Sequence, residues 1–177
     1  MAELQTKSPD ITLVQPDVER DAPTAVKWLE GNIGRTTLKL MGNDGEHNRP
    51  STLEEERVRI KGFLDSDDQL TWMIRLQDKI VGTVWVNLNE TEYLLGPSVH
   101  IMIGDPGARG QGVGGNTITT VIDYMRNAGE YDTLYSRHLA TNERASGLLK
   151  EVGFKILGEQ YTDQSNLSWQ NVSKSLK

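Results

Sequence analysis

The stretch with the clearest chemical content runs Ile101-Met-Ile-Gly-Asp-Pro-Gly-Ala-Arg-Gly-Gln-Gly-Val-Gly-Gly115, from apolar residues through glycines into a helical pattern. The first turn of a helix presents backbone N–H groups with no intrahelical partner and the positive end of the macrodipole. Together these bind phosphate. Glycines at 110, 112, 114 and 115 let the backbone approach an anion without Cβ interference. Arg109 adds a fixed charge whose planar donor fork suits phosphate oxygens. A glycine-rich turn of purely structural purpose would look similar, so that reading stays open. His100 lies just upstream and shares a strand face with Met102. Histidine titrates near neutrality without a large environmental shift, so His100 could take a proton from an amine if that face lines a cleft. On the other face it would be packed or exposed. Glu90 and Glu92 precede this strand and either hold a water, attract a cation or face solvent.

Two familiar phosphate loops do not fit. Residues 110–115 match GxGxxG literally, but a dinucleotide-binding loop follows an early strand of a βαβ unit. Here the loop lies two-thirds along the chain, after a half rich in strands that do not alternate with helices. The Walker pattern is absent.

Composition narrows the classes further. The chain has 177 residues, 36% hydrophobic and 25% charged, which fits one globular domain burying about 70% of its unfolded surface. No apolar run approaches the roughly 20 residues of a membrane span. The first ten residues lack a secretory pattern, so a cytoplasmic location is expected. Without cysteine there is no disulfide, thiolate nucleophile or cysteine-ligated zinc. His47, His100 and His138 show no metal-ligand spacing, and no metal is expected. A net charge of −6 argues against nucleic acid and mildly favours a cationic partner.

The elements around the loop follow from periodicity and breakers. Residues 1–10 read as a loose leader and 11–15 as a half-buried strand. A helix is expected from Asp21 to near Gly31, a surface loop over 41–50, and a second helix from Ser51, whose Ser-x-x-Glu spacing to Glu54 is a capping-box pattern, to about Leu64. Strands at 70–76 and 80–88 flank a short hairpin loop, and 98–103 is a further strand. A helix over 112–127 closes at Gly129. Strand 133–139, helix 142–152 and strands 154–159 and 167–172 complete a β-α-α-β-β-β-α-β-α-β-β order. This is a single α/β (α+β) domain over 11–177, a mixed sheet with helices packed against it.

Arg109-Gly-Gln-Gly-Val-Gly114 after a strand is an instance of Gln/Arg-x-x-Gly-x-Gly/Ala and resembles the pyrophosphate-binding signature of the GNAT family of N-acetyltransferases. Asn142-Glu-Arg-Ala-Ser-Gly-Leu-Leu-Lys-Glu-Val-Gly-Phe154 resembles that family's Asn-x-x-Ala helix ending in Gly-Phe. The opening Ile11-Thr-Leu, Asp21-Ala and Trp28-Leu is similar to members that modify protein N-termini or aminoglycosides. The resemblance covers residues 11–160. It implies a mostly antiparallel sheet in which two parallel strands, 98–103 and 133–139, splay apart to hold acetyl-CoA. Backbone groups of Met102 and Ile103 would then meet pantetheine. Arg109, Gly110 and the N–H groups of Gln111, Gly112, Val113, Gly114 and Gly115 would meet the pyrophosphate, and Asn142 the pantetheine arm. The acceptor amine would attack the thioester directly.

One position departs from the family pattern. Many members carry a tyrosine acid where this chain has Leu149, and leucine cannot donate a proton. Tyr131, Tyr135 and Ser146 lie near but not at that place. The resemblance thus implies an enzyme acetylating a primary amine on a small or peptidic cationic acceptor: an aminoglycoside-like antibiotic, a protein N-terminus or a polyamine. The alternative is a non-catalytic acyl-CoA-binding sensor, and a third reading is a nucleotide-binding module that prefers NAD or ATP. The resemblance implies acceptor choice by residues 35–49, whose Asn43-Asp44-Gly45-Glu46 cluster reads equally as a solvated loop, and by Trp169, which reads equally as a packing residue. Trp28, Trp72 and Trp85 are read mainly as packing residues. A homodimer is left open, because no apolar surface seam marks an interface.

Overall fold

The computed structural model describes residues 2–43, 45 and 48–177. A nine-stranded sheet runs through it in the order β1-β2-β3-β4-β5-β6-β9-β7, with β8 also paired to β9. The strands are β1 (Leu4–Gln5), β2 (Ile11–Val14), β3 (Gln69–Leu76), β4 (Lys79–Asn87), β5 (Ser98–Ile103), β6 (Thr133–Leu139), β7 (Lys155–Ile156), β8 (Tyr161–Thr162) and β9 (Ser168–Ser175). Every pairing is antiparallel except that of β5 with β6. The helices are α1 (Val18–Trp28), α2 (Gly31–Leu40), α3 (Leu53–Asp65), α4 (Val113–Ala128) and α5 (Glu143–Glu151).

Alternation splits the side chains of β5 between two cores. Val99, Ile101 and Ile103 join the larger one with Val113, Ile118, Val121, Ile122 and Met125 of α4 and Leu149 of α5. Met102 points to the opposite face, into a smaller core with Ala25, Trp28 and Leu29 of the α1 segment and Leu38 of α2. Helices thus cover both faces, and both cores meet at the strand that leads into the glycine loop.

Several boundaries correct the sequence reading. Leu4 and Gln5, expected within a loose leader, pair with Leu13 and Thr12. Helix α1 begins three residues before the expected Asp21, because Asp17 caps it by accepting from the Arg20 N–H. Asp21 is fully buried and accepts from the Asp17 N–H at 2.8 Å, while Arg20 binds both of its oxygens. Helix α2 was not expected at all. The capping box of α3 is Thr52 with Glu55, one residue beyond the expected frame. Strand β7 is shorter than expected, β9 is longer, and β8 is additional. The limits of β5 and β6 agree with the expectation, and so does a left-handed Gly129 ending α4.

Candidate active site at the split between β5 and β6

Strands β5 and β6 pair in register only at Ser98 and Tyr135. The Tyr135 N–H donates to the Pro97 carbonyl at 2.9 Å, and Ser136 Oγ donates to the Val99 carbonyl at 2.7 Å. Beyond that point the strands part, opening a V in the middle of the sheet. The loop after β5 and the start of α5 after β6 form its two rims.

The β5 rim is built by local bonds. Asp105 Oδ1 accepts from the Gly107 N–H at 2.8 Å and the Asp105 carboxylate also pairs with Lys79, which fixes a single 3-10 turn at Pro106–Ala108. Gly110 and Gly112 then take φ of +77° and +74°, the left-handed region that a side chain disfavours. Gly112 is the N-cap of α4 and so offers no side chain to the helix end. The first helical bond runs from the Asn116 N–H to the Gly112 carbonyl. The N–H groups of Val113, Gly114 and Gly115 therefore have no helical acceptor. Gly114 has a packing reason: a Cβ there would lie 3.1 Å from Leu148 of α5. A Cβ on Gly115 would meet only open space.

Arg109, expected as a phosphate donor, has its guanidinium on protein groups. Its Nε and Nη2 donate to the Ile103 carbonyl at 3.1 and 3.0 Å, and Nη2 also donates to Thr37 Oγ1 of α2 at 2.8 Å. Burial and then the charge of Arg144 lower its pKa from the ordinary value. On the other rim, Asn142 Oδ1 caps α5 by accepting from the Ala145 N–H, and Nδ2 donates to the Leu40 carbonyl at the end of α2 at 3.2 Å. Helix α2 thus bridges the rims, bonded to Arg109 near its middle and to Asn142 at its end. A cavity of about 400 Å³ lies beside it, lined by Thr36, Lys39 and Leu40 of α2 and by Leu139, Thr141, Asn166, Leu167 and Ser168.

At the base of the V, His100 stacks on Trp85, its cross-strand partner, with ring centroids 5.4 Å apart. Its Nε2 is 3.2 Å from Ser98 Oγ. Burial, and then the charge of Arg137, push its pKa down to about 4. His100 is therefore a neutral imidazole at ordinary pH, and the near-neutral titration expected from its residue type does not hold. Glu90 and Glu92 are exposed in the β4–β5 connection. Glu92 interacts with the Tyr93 phenol, whose pKa is raised by desolvation and then by that carboxylate. Leu149 is buried in the larger core. Of the acidic loop, Asp44 and Glu46 lie outside the described residues, as does His47.

A cluster of which the sequence reading singled out only Trp169 faces His100 across the split. The Arg137 guanidinium lies over Tyr93 at 4.8 Å and over Trp169 at 4.2 Å, and its Nη1 donates to Tyr161 Oη at 3.0 Å. Alternation along β6, which gives Arg137 the face of Tyr135, was the one available signal. The aromatic partners come from three other segments.

Comparison with known proteins agrees with this architecture. The family model for the acetyltransferase (GNAT) domain matches residues 10–155, and the chain belongs to the GNAT acetyltransferase family. A search of curated protein sequences finds no significant match. Among solved structures, a ribosomal L7/L12 alpha-N-protein acetyltransferase in complex with coenzyme A is similar at 12% identity, over 98% of each chain, with a TM-score of 0.78. Spermidine N-acetyltransferase from Vibrio cholerae in complex with CoA and spermine is similar at 14% identity, over 96% of this chain and 97% of that one, with a TM-score of 0.74. An aminoglycoside acetyltransferase in complex with coenzyme A gives 14% identity, 93% and 94% coverage and a TM-score of 0.73.

Proposed function

We propose that the chain transfers an acetyl group from acetyl-CoA to a primary amine of a small or peptidic acceptor. The observation that carries this is the uncapped first turn of α4 at the rim of the split, with its free N–H groups of Val113, Gly114 and Gly115. Those donors, with the backbone of Gly110, Gln111 and Gly112, suit a diphosphate. Arg109 acts on it by bracing the loop. Backbone groups of Met102 and Ile103 flank the pantetheine path, and Asn142 is at its other side. Acetyl-CoA supplies an activated thioester when bound. In the transfer an N–C bond forms and the C–S bond breaks, while the ammonium nitrogen gives up two protons, one before attack and one that ends on sulfur as CoA leaves as the thiol.

His100, neutral at working pH, suits a hydrogen-bonding role near the amine better than that of proton store, because a base works best with a pKa near the operating pH. Glu92 is the remaining candidate to attract the ammonium. No side chain here is assigned to protonate the leaving thiolate, and Leu149 rules itself out by its chemistry. Terminal amines of proteins, polyamines and aminoglycosides are the acceptor classes named for the similar structures. An acceptor other than nucleic acid belongs to the same reading, supported by the net charge of −6.

The test is release of free thiol from acetyl-CoA with a panel of amines, with CoA, NAD and ATP as competitors. Amine-dependent release competed by CoA is expected. Binding of acetyl-CoA with no release above background for any amine would instead identify an acyl-CoA sensor.

A further inference from the structure

We infer that Arg137, with Tyr93, Tyr161 and Trp169, forms a carboxylate-binding subsite, so that the acceptor is an amine that also bears a carboxylate: an amino acid or a short peptide. This deepens the acetyltransferase reading and rests on it. The cluster sits where such a group must arrive. Arg137 is two residues beyond Tyr135 and His100 two residues beyond Ser98, which is the last point where β5 and β6 pair. The two side chains therefore flank the opening at the same level, and the Arg137 charge reaches the His100 imidazole.

The guanidinium is held rather than neutralised. It lies over the rings of Tyr93 and Trp169, and Tyr161 accepts one of its N–H groups. The rings are themselves fixed: Asn171 Nδ2 donates to the Tyr93 carbonyl at 2.8 Å, Tyr93 stacks on Tyr161, and Trp169 Nε1 donates to Asp163 Oδ2 at 2.8 Å. Asp163 faces the cluster without forming an ion pair with Arg137. Its Oδ1 takes the N–H groups of Ser165 and Leu167 and its Oδ2 the Trp169 indole. Among the described residues Arg137 has no carboxylate within salt-bridge distance. A planar fork with donors to spare, held against two rings, matches the geometry of a carboxylate. The neighbouring cavity adds Lys39 to its lining and, among the described residues, no acidic side chain. A polycation would find a guanidinium at the place where it must bind.

The experiment compares acceptors that share the amine-bearing residue and differ in the acid: alanine with alaninamide, and alanyl-alanine with alanyl-alaninamide. For each, kcat/KM is measured from thiol release. The parent is expected to prefer the carboxylate member by about ten- to a hundredfold, the effect of a charge-assisted pair, mainly through KM. In Arg137→Gln the preference collapses, and in Arg137→Lys it is intermediate. An acetyl-CoA-induced rise in Tm checks that each variant folds. Should Arg137→Gln not fold, the parent's preference and that of Tyr161→Phe, which leaves the charge, decide alone. If no acceptor turns over, tryptophan fluorescence of the CoA complex is titrated with the same pairs, and binding confined to the carboxylate members supports the subsite. Equal rates for acid and amide, or a preference for spermidine, overturn it while leaving the acetyltransferase reading intact, and equal binding without turnover overturns it together with that reading. Absence of any acetyl-CoA binding would overturn that reading itself.

Discussion

The imidazole of His100 lies against Trp85 and across from the Arg137 guanidinium, so protonating it would first cost desolvation of the new charge and then place it near a second cation. That is why its pKa falls to about 4 from an ordinary 6.5. The consequence for stability has a definite sign. Between those two values the unfolded chain binds more protons than the folded one, so the contribution of neutral His100 is fully present above pH 6.5 and is lost as pH falls through about 4. His100→Gln keeps a polar partner for Ser98 and does not titrate. The Tm of the parent should therefore fall more steeply than that of the variant on acidification across that window. In kcat/KM, the two proteins should show the same profile around neutrality. An inflection near 6.5 that disappears in the variant would restore His100 as the base. Alternation in the sequence did place His100 and Met102 on one face. The shift was not legible there, because Trp85 and Arg137 come from other strands.

At the scale of elements, the first turn of α4 separates two uses of glycine. Gly112→Ala places a side chain at a φ of +74°, at a cost of about 1–2 kcal/mol. Gly115→Ala puts its Cβ in open space within a helix, where alanine is favoured over glycine by roughly 0.5–1 kcal/mol. We expect Gly112→Ala to lower both Tm and acetyl-CoA affinity, and Gly115→Ala to raise Tm while weakening acetyl-CoA, measured by calorimetry. Undiminished affinity in both variants would move the diphosphate away from this turn. The limits of β5 and β6 were legible because apolar alternation ends at glycine, aspartate and proline in one case and at the Asn142 cap in the other. Helix α2 was not, since Gly31, Gly34, Thr36 and Thr37 are weak helix formers. Its helicity depends on tertiary contacts. A Cβ at position 34 would lie 2.1 Å from the Leu29 backbone, and Thr37 meets Arg109. For α3, Ser51 with Glu54 and Thr52 with Glu55 both satisfy the capping pattern. The structure uses the second, where Glu55 also pairs with Arg49 at 2.5 Å and its pKa drops to about 2.

For the molecule as a whole, the split sheet is the working feature, and α2 braces it by bonding to Arg109 on one rim and to Asn142 on the other. The resemblance in the sequence led to the expectation of splayed strands. The brace and the Arg137 cluster needed the fold, because each gathers residues from segments far apart in the chain. A ligand seated between braced rims binds only the folded state, and at about 100 times its dissociation constant it stabilises by roughly 2.7 kcal/mol. For a domain of this size that corresponds to a rise in Tm of roughly 5–10 °C. Acetyl-CoA and CoA should both produce it, and NAD should not. Thr37→Val removes the Nη2 acceptor on α2 while leaving the loop's own bonds to Ile103, at a cost of about 1 kcal/mol in the free protein. If the brace pre-organises the β5 rim, the variant must spend part of its binding free energy on ordering the loop, and its acetyl-CoA-induced shift should be smaller than the parent's at equal ligand concentration. A shift of equal size would show that the glycine loop holds its shape without α2, and no shift in the parent would remove acetyl-CoA from the split altogether.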